Sequence, residues 1–143
     1  MKCLTEGMGV RATARLVDCH RDTVLNVLAF VGPKCAQLLD KRLTHLTCEA
    51  LQLDELWARV GCAQKTAHPS EKERGDFYSF LAIDQRTKLI VSNLTGKRTE
   101  SNTRRFVADL AKRVHGRTQI TCDGWRAYVT QLREKMLGRL AVH

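Results

Sequence analysis

The spacing of apolar residues changes near residue 50, and that change limits what the chain can build. Before it, Val10, Ala14 and Val17 recur at helical intervals, His20-Arg21-Asp22 interrupts, and Val24, Leu25, Val27 and Leu28 resume the pattern. Gly32-Pro33 predicts a helix stop. A third helix is expected after Pro33, with Leu38, Leu39, Leu43 and Leu46 on one face, because a first-turn proline needs no amide donor. After it, Leu51, Leu53 and Trp57 sit in a strand-like run, and Gln64 to Asp76, with Pro69 inside, is polar and loop-like. Phe77–Ile83 and Leu89–Leu94 are strand-like runs joined by a hairpin over Asp84 to Lys88. A helix from about Ser101 to Val114 should bury Phe106, Val107, Leu110, Ala111 and Val114 and end at Gly116. A short strand, Thr118–Cys122, and a helix from Arg126 to about Leu137 complete the chain. The order strand, strand, strand, helix, strand, helix predicts an α/β fold. A helical region precedes it, with the boundary drawn between 1–47 and 48–143.

Charge narrows the partners. Twenty-four Lys and Arg against 15 Asp and Glu leave a net +9, which favours polyanions, chiefly nucleic acid. A soluble basic protein without such a partner is the plainer alternative. The excess is uneven: residues 1–50 carry a net +2 and residues 51–143 a net +7. Cysteines at 3, 19, 35, 48, 62 and 122 have no zinc-ribbon or redox spacing, so reduced packing thiols are expected. No secretory leader and no stretch near the ~20 apolar residues of a membrane span are evident. The expectation is a cytoplasmic, nucleoid-associated protein with no membrane partner.

The first region fits a helix-turn-helix. Ala14 supplies the small residue at the helix crossing, with Val17, Cys19, Val24 and Val27 expected to pack around it. Asp18 stands where a turn glycine would be more comfortable. Arg21, Thr23 and Asn26, with Asp22 among them, would be exposed near the start of the second helix and could reach base edges. Arg11 and Arg15 on the first helix suit phosphates. A plain helical hairpin with a solvated polar face satisfies the same pattern.

Two aspartates stand out by context. Asp54 lies inside the run Leu51-Gln52-Leu53-Asp54-Glu55-Leu56-Trp57, and Asp123 follows the strand Gln119-Ile120-Thr121-Cys122. A charge within or at the tip of a core strand is costly unless paired or bound to a metal. Phosphoryl transfer on nucleic acid commonly uses two Mg²⁺ ions ~4 Å apart, held by hard carboxylate oxygens. A lone Asp after a strand is more often a turn or helix cap, and Asp84 is assigned that role. Glu55 neighbours Asp54, but successive strand residues face opposite ways, so one metal cannot readily use both, and Asp54 is preferred. Lys97, Arg98, Arg104, Arg105, Lys112, Arg113 and Arg117 cluster around the long helix, as a solvated face or as a surface for the DNA backbone. His45, His68 and His115 show no metal spacing and are assigned to the surface or to loops.

Several segments together resemble the transposases of the insertion-sequence-one family. Leu53-Asp54-Glu55-Leu56-Trp57 looks like the family's first acidic motif, and Thr121-Cys122-Asp123-Gly124-Trp125 like its second. Gly75-Asp76-Phe77-Tyr78, Ala82-Ile83-Asp84 and Leu94-Thr95-Gly96-Lys97-Arg98 are similar to its middle strands, and Gly9 to Arg15 resembles its helix-turn-helix. The similarity runs in order over roughly residues 4 to 129. It implies an RNase H-like catalytic domain, a mixed β-sheet with flanking helices, and a DDE mechanism. In that mechanism Mg²⁺ or Mn²⁺ assists cleavage at the element's ends, and the freed 3′-hydroxyl attacks target DNA. Asp54 and Asp123 would be the first two acidic ligands. The helix-turn-helix would bind terminal repeats in double-stranded DNA, with the chain as a homo-oligomer on that DNA.

Two departures accompany the resemblance. The family's third acidic residue lies well downstream on a later helix. Here Glu134 is the only acidic residue after Asp123, 11 positions on, too near to take that place. The segment from about Thr130 to His143 looks unrelated, as in a truncated or frameshifted product, and a cysteine-rich zinc segment expected before the helix-turn-helix is missing. The expectation is a transposase with an incomplete catalytic domain; a non-catalytic DNA-binding regulator and an inactive remnant are the alternatives.

Overall fold

In the computed structural model, residues 1–68, 70–136 and 140–142 are described. Among them the chain is a mixed α/β protein with five α-helices and two β-sheets, one of them mixed. It divides into two compact units, Met1–Arg42 and Leu43–His143. The sequence alone set the division at 47/48; Leu46–Thr47 in fact pair inside the second unit.

The first unit holds α1 (Lys2–Thr5), α2 (Val10–Leu16) and α3 (Arg21–Arg42). The turn between α2 and α3 places Asp18 in the left-handed region at φ +50°, and the Cys19 amide donates to the Ala14 carbonyl at 3.0 Å. A short polar side chain tolerates that conformation better than most. Thr13 and Ala14 of α2 and Val24 of α3 are buried. Val17 and Val27, expected in the same contact, are exposed. α2 is only seven residues long, and Val24 is the one buried residue of α3.

The expected helix stop at Gly32-Pro33 does not occur: α3 runs 22 residues with Pro33 inside. A proline there deprives the carbonyl four residues back, at Ala29, of its helical donor. Ala29 is exposed, so water can take that bond. The predicted third helix is the second half of α3. Leu38 and Leu39 are exposed on it, while Leu43 and Leu46 lie beyond its end.

The second unit contains β1 (Leu46–Thr47), β2 (Ala50–Val60), β3 (Gly75–Asp84), β4 (Ile90–Gly96), α4 (Glu100–Arg113), β5 (Val114–His115), β6 (Thr118–Thr121), α5 (Arg126–Met136) and β7 (Leu140–Val142). The larger sheet runs β4-β3-β2-β6-β7. Pairing is antiparallel from β4 through β3 to β2 and parallel from β2 through β6 to β7. The smaller sheet is β1 beside β5, parallel, Leu46 opposite Val114. Two-residue strands show no periodicity, so β1 and β5 are invisible to pattern reading. Leu137, the expected last residue of α5, lies outside the described residues, as does Pro69 of the loop before β3.

Alternation on the strands sets the core. Leu51 and Leu53 of β2, Phe80 and Ala82 of β3, Val91 of β4 and Ile120 of β6 are buried with Phe106, Val107 and Leu110 of α4 and Tyr128, Leu132 and Met136 of α5. α4 starts with Thr99 as N-cap, its side chain accepting from the Asn102 amide at 3.3 Å. Asp84 is a turn cap, as its hairpin position suggested. Its carboxylate accepts from the Thr87 hydroxyl and amide, and these bonds lower its pKa.

Candidate functional site

At β2 the pleat separates two neighbouring acids. Leu51 and Leu53 face the core, and Glu55, two residues on, keeps the same parity; its side chain is only 7% exposed. Gln52, Asp54 and Leu56 have the other parity and are exposed. The Asp54 carboxylate accepts from the Glu55 amide at 2.8 Å.

Asp123 lies two residues past the end of β6. The register Leu51–Ile120 and Gln52–Thr121 brings this end of β6 beside β2. Its Oδ1 accepts from the Trp125 amide at 3.3 Å, a turn contact, and its Oδ2 accepts from Arg98 Nη2 at 2.8 Å. Arg98, just after β4, also places Nε 3.0 Å from Glu55 Oε2. One guanidinium therefore joins Glu55 to Asp123 while lying 4.4 Å from the centre of the Trp125 ring. Arg98 is about a third exposed, at 35%, and Asp123 is 52% exposed.

The floor of this site is aromatic. Trp125 and Tyr128 meet edge to face at 5.6 Å, and both approach Phe80, at 6.1 and 6.5 Å. Burial, then the neighbouring Glu55 carboxylate, push the Tyr128 phenol far above its usual pKa and keep it protonated. Tyr128 Oη and Glu55 Oε1 are both buried without a well-formed hydrogen bond.

The structure thus brings Asp123 together with Glu55, through Arg98, and gives Asp54 no partner in common with Asp123. A two-metal centre needs several carboxylate oxygens turned to one point. Among the described residues no group of three or more His, Cys, Asp or Glu side chains gathers in that way. A guanidinium already neutralises the two carboxylates that do converge. The residues present do not fit the Mg²⁺ or Mn²⁺ centre that the resemblance implies.

Much of the expected basic surface is engaged within the fold. Arg113 Nε and Nη2 bind Asp109 at 2.7 and 3.0 Å, and Arg104 pairs with Glu100 at 3.6 Å. Lys97 donates to Gln64 Oε1 at 3.0 Å and to the Arg74 carbonyl, and lies over the Phe77 ring. Lys112 and Arg117 are exposed.

In the first unit Arg11 and Arg15 on α2, and Arg21, Thr23 and Asn26 on the first turns of α3, are all exposed. Arg21 shares Asp22 with His20, at 3.2 and 3.4 Å. Beside them is a mainly apolar concavity of about 210 Å³ whose lining includes Leu4, Val17, Val24 and Val27.

Reading the sequence set Glu55 aside in favour of Asp54 and placed Arg98 only in the basic cluster around the long helix. The signal for Glu55 was present, since its parity matches that of Leu51 and Leu53. Nothing in the spacing marks Arg98, whose role depends on contacts to residues 43 positions before it and 25 after it. No protein-family model matches this chain, and no curated protein matches it either.

Proposed function

We propose that this chain binds duplex DNA through its first unit and descends from the transposases its sequence resembles. The observation that carries the reading is the exposed set on two helices. Arg11 and Arg15 stand on one, and Arg21, Thr23 and Asn26 stand on the first turns of the next, across a tight turn at Asp18. Polar side chains at the start of a second helix are what a helix-turn-helix presents to base edges, and arginines on the first suit phosphates. The net charge of +9 adds a long-range attraction to the polyanion.

The second unit is proposed to be RNase H-like. What supports this is a mixed sheet, with a three-stranded antiparallel part and parallel strands joined through helices. In a complete, active member of the resembled family, Asp54 and Asp123 would serve Mg²⁺-dependent cleavage and strand transfer. The engagement of Asp123 by Arg98 favours the other reading for this chain, a DNA-binding regulator without strand transfer, acting in the cytoplasm and as an oligomer on DNA. No helix among the described residues is long and apolar enough to cross a membrane.

The test is selection from a random duplex pool, then anisotropy titration of the winning site at several salt concentrations. Asn26→Ala is expected to relax sequence preference, costing about 1–3 kcal/mol of discrimination. Arg15→Ala should weaken all duplexes alike and reduce the salt slope by about 1. Asp54→Asn should leave binding unchanged. Failure to bind any duplex at about 100 μM in low salt would refute the reading. Cleavage of the selected site by the wild-type chain with Mn²⁺ would restore the catalytic one.

A further inference from the structure

We propose that the concavity between α1, α2 and the start of α3 is a binding site for a small aromatic molecule carrying one hydroxyl, of the phenol class. The ligand completes a core that the first unit's own side chains leave thin. The inference stands apart from the DNA reading, since the concavity can be filled whether or not the chain binds a duplex.

Size and lining set the ligand. The concavity holds about 210 Å³. An engineered cavity of about 150 Å³ in another protein takes up benzene, and pockets for drug-sized ligands begin near ~300 Å³. One ring with a small substituent fits that space; two rings do not. The walls are mainly apolar, with Leu4, Val17, Val24 and Val27 among them. Val17 and Val27 are 53% and 39% exposed, so a ring seated there covers apolar surface that the fold leaves open. Met1, Cys3 and Cys19 also line the concavity, and their soft, polarisable sulfurs favour an aromatic ring over a saturated one.

Thr13 supplies a second, independent observation. It lies on the wall, is only 4% exposed, and its Oγ1 is buried with no hydrogen-bond partner among the described residues. A helical threonine ordinarily turns its hydroxyl to the carbonyl three or four residues back. Here it does not, although the Thr13 amide does donate to the Gly9 carbonyl, at 2.9 Å. A buried hydroxyl left without a bond is costly, and a single ligand hydroxyl beside it restores that bond. Water is a poor substitute, because an ordered water needs about two to four polar partners and these walls offer few. No charged side chain lines the concavity, which favours a neutral ligand.

The experiment titrates the full chain, labelled with ¹⁵N, with phenol, toluene and cyclohexanol and follows its amide resonances. Phenol should shift Leu4, Val17, Val24 and Val27 saturably, with a dissociation constant of about 1 mM or tighter for a ligand of about seven non-hydrogen atoms. Toluene lacks the hydroxyl and cyclohexanol lacks the ring, so each should bind about fivefold more weakly. Thr13→Val keeps the shape of the wall and should bring phenol to the level of toluene. Val17→Phe and Val27→Phe, both at exposed wall positions, should each block all three ligands while the rest of the spectrum stays put. If one variant does not fold, the others carry the test. Amide exchange in α2 and the first turns of α3 should slow with phenol, and that of the second unit should not change. The proposal is overturned if phenol gives no saturable shift at about 20 mM, or if cyclohexanol binds as tightly as phenol. It is equally overturned if folded Thr13→Val, or both folded wall variants, leave phenol binding unchanged. Shifts of the same resonances with protein concentration alone would also overturn it, by giving the concavity to a second copy of the chain.

Discussion

Asp109 shows how a charge is managed at the edge of this core. It takes two bonds from Arg113 and one from the buried Ser92 hydroxyl at 2.6 Å. Burial alone would raise its pKa, but the Arg113 and Ser92 hydrogen bonds outweigh that and hold it below the usual carboxylate value. A depressed folded pKa contributes stability that is present above the unfolded value, about 3.9, and is lost as pH falls through the lower folded one. Acid titration of wild type against Asp109→Asn should show the two stability curves converging below about pH 4. Gly75 is a second residue with a narrow specification. Its φ is +93°, and an added Cβ would lie 2.5 Å from Gln64 Oε1 and 3.2 Å from the Gln64 backbone. Gln64 is itself held by Lys97 and the Asp76 amide. Gly75→Ala is expected to cost about 1–3 kcal/mol in urea unfolding, with the strain felt at Lys97 and so next to Arg98.

At the scale of elements, α3 contains its own weak point. Proline costs about 3 kcal/mol against alanine in a helix interior, and Pro33 is the thirteenth residue of this one. Pro33→Ala should raise the melting temperature of the helical signal, with a gain of about 1–3 kcal/mol if the backbone otherwise stays put. The same position shows where reading the sequence succeeds and where it stops. Gly32-Pro33 carries a real local preference against helix, and the residues either side of it overrode that preference. Strands β2, β3 and β4 and helix α4 were legible because Leu51, Leu53, Phe106 and Leu110 repeat at the period of their element. The pleat rule correctly separated residue 54 from residue 55, but choosing between them required knowing which side was covered. Leu51 and Leu53 hold that information, and they point to 55. The Arg98 bridge was beyond reach because no local pattern encodes a contact between a loop, a strand and a turn.

For the whole molecule, the two units differ in how much they bury. Among the described residues, the first contributes only Ala14 and Val24 to the buried apolar set, against fourteen in the second. At about 25 cal/mol per Å² of apolar surface, that difference makes the first unit much the less stable. Unfolding should therefore not be two-state. Both tryptophans, Trp57 and Trp125, belong to the second unit, so fluorescence reports on it alone. The helical signal at 222 nm should begin to fall in urea before tryptophan emission shifts, and a single coincident transition would contradict the unequal cores.

The long strand β2 has one more consequence. β6 pairs with it only over Ala50 to Gln52, so from Leu53 to Val60 its described hydrogen-bonded neighbour is β3 alone. Eight residues of backbone thus run along an open border, with Leu56, Trp57 and Val60 exposed beside it. Such a border is a template for an extended segment of another molecule, and the charges of Asp54 and Arg59 are the local deterrent. Concentrated solutions at high ionic strength, where those charges are screened, are where self-association into fibrous or amorphous material would first be seen.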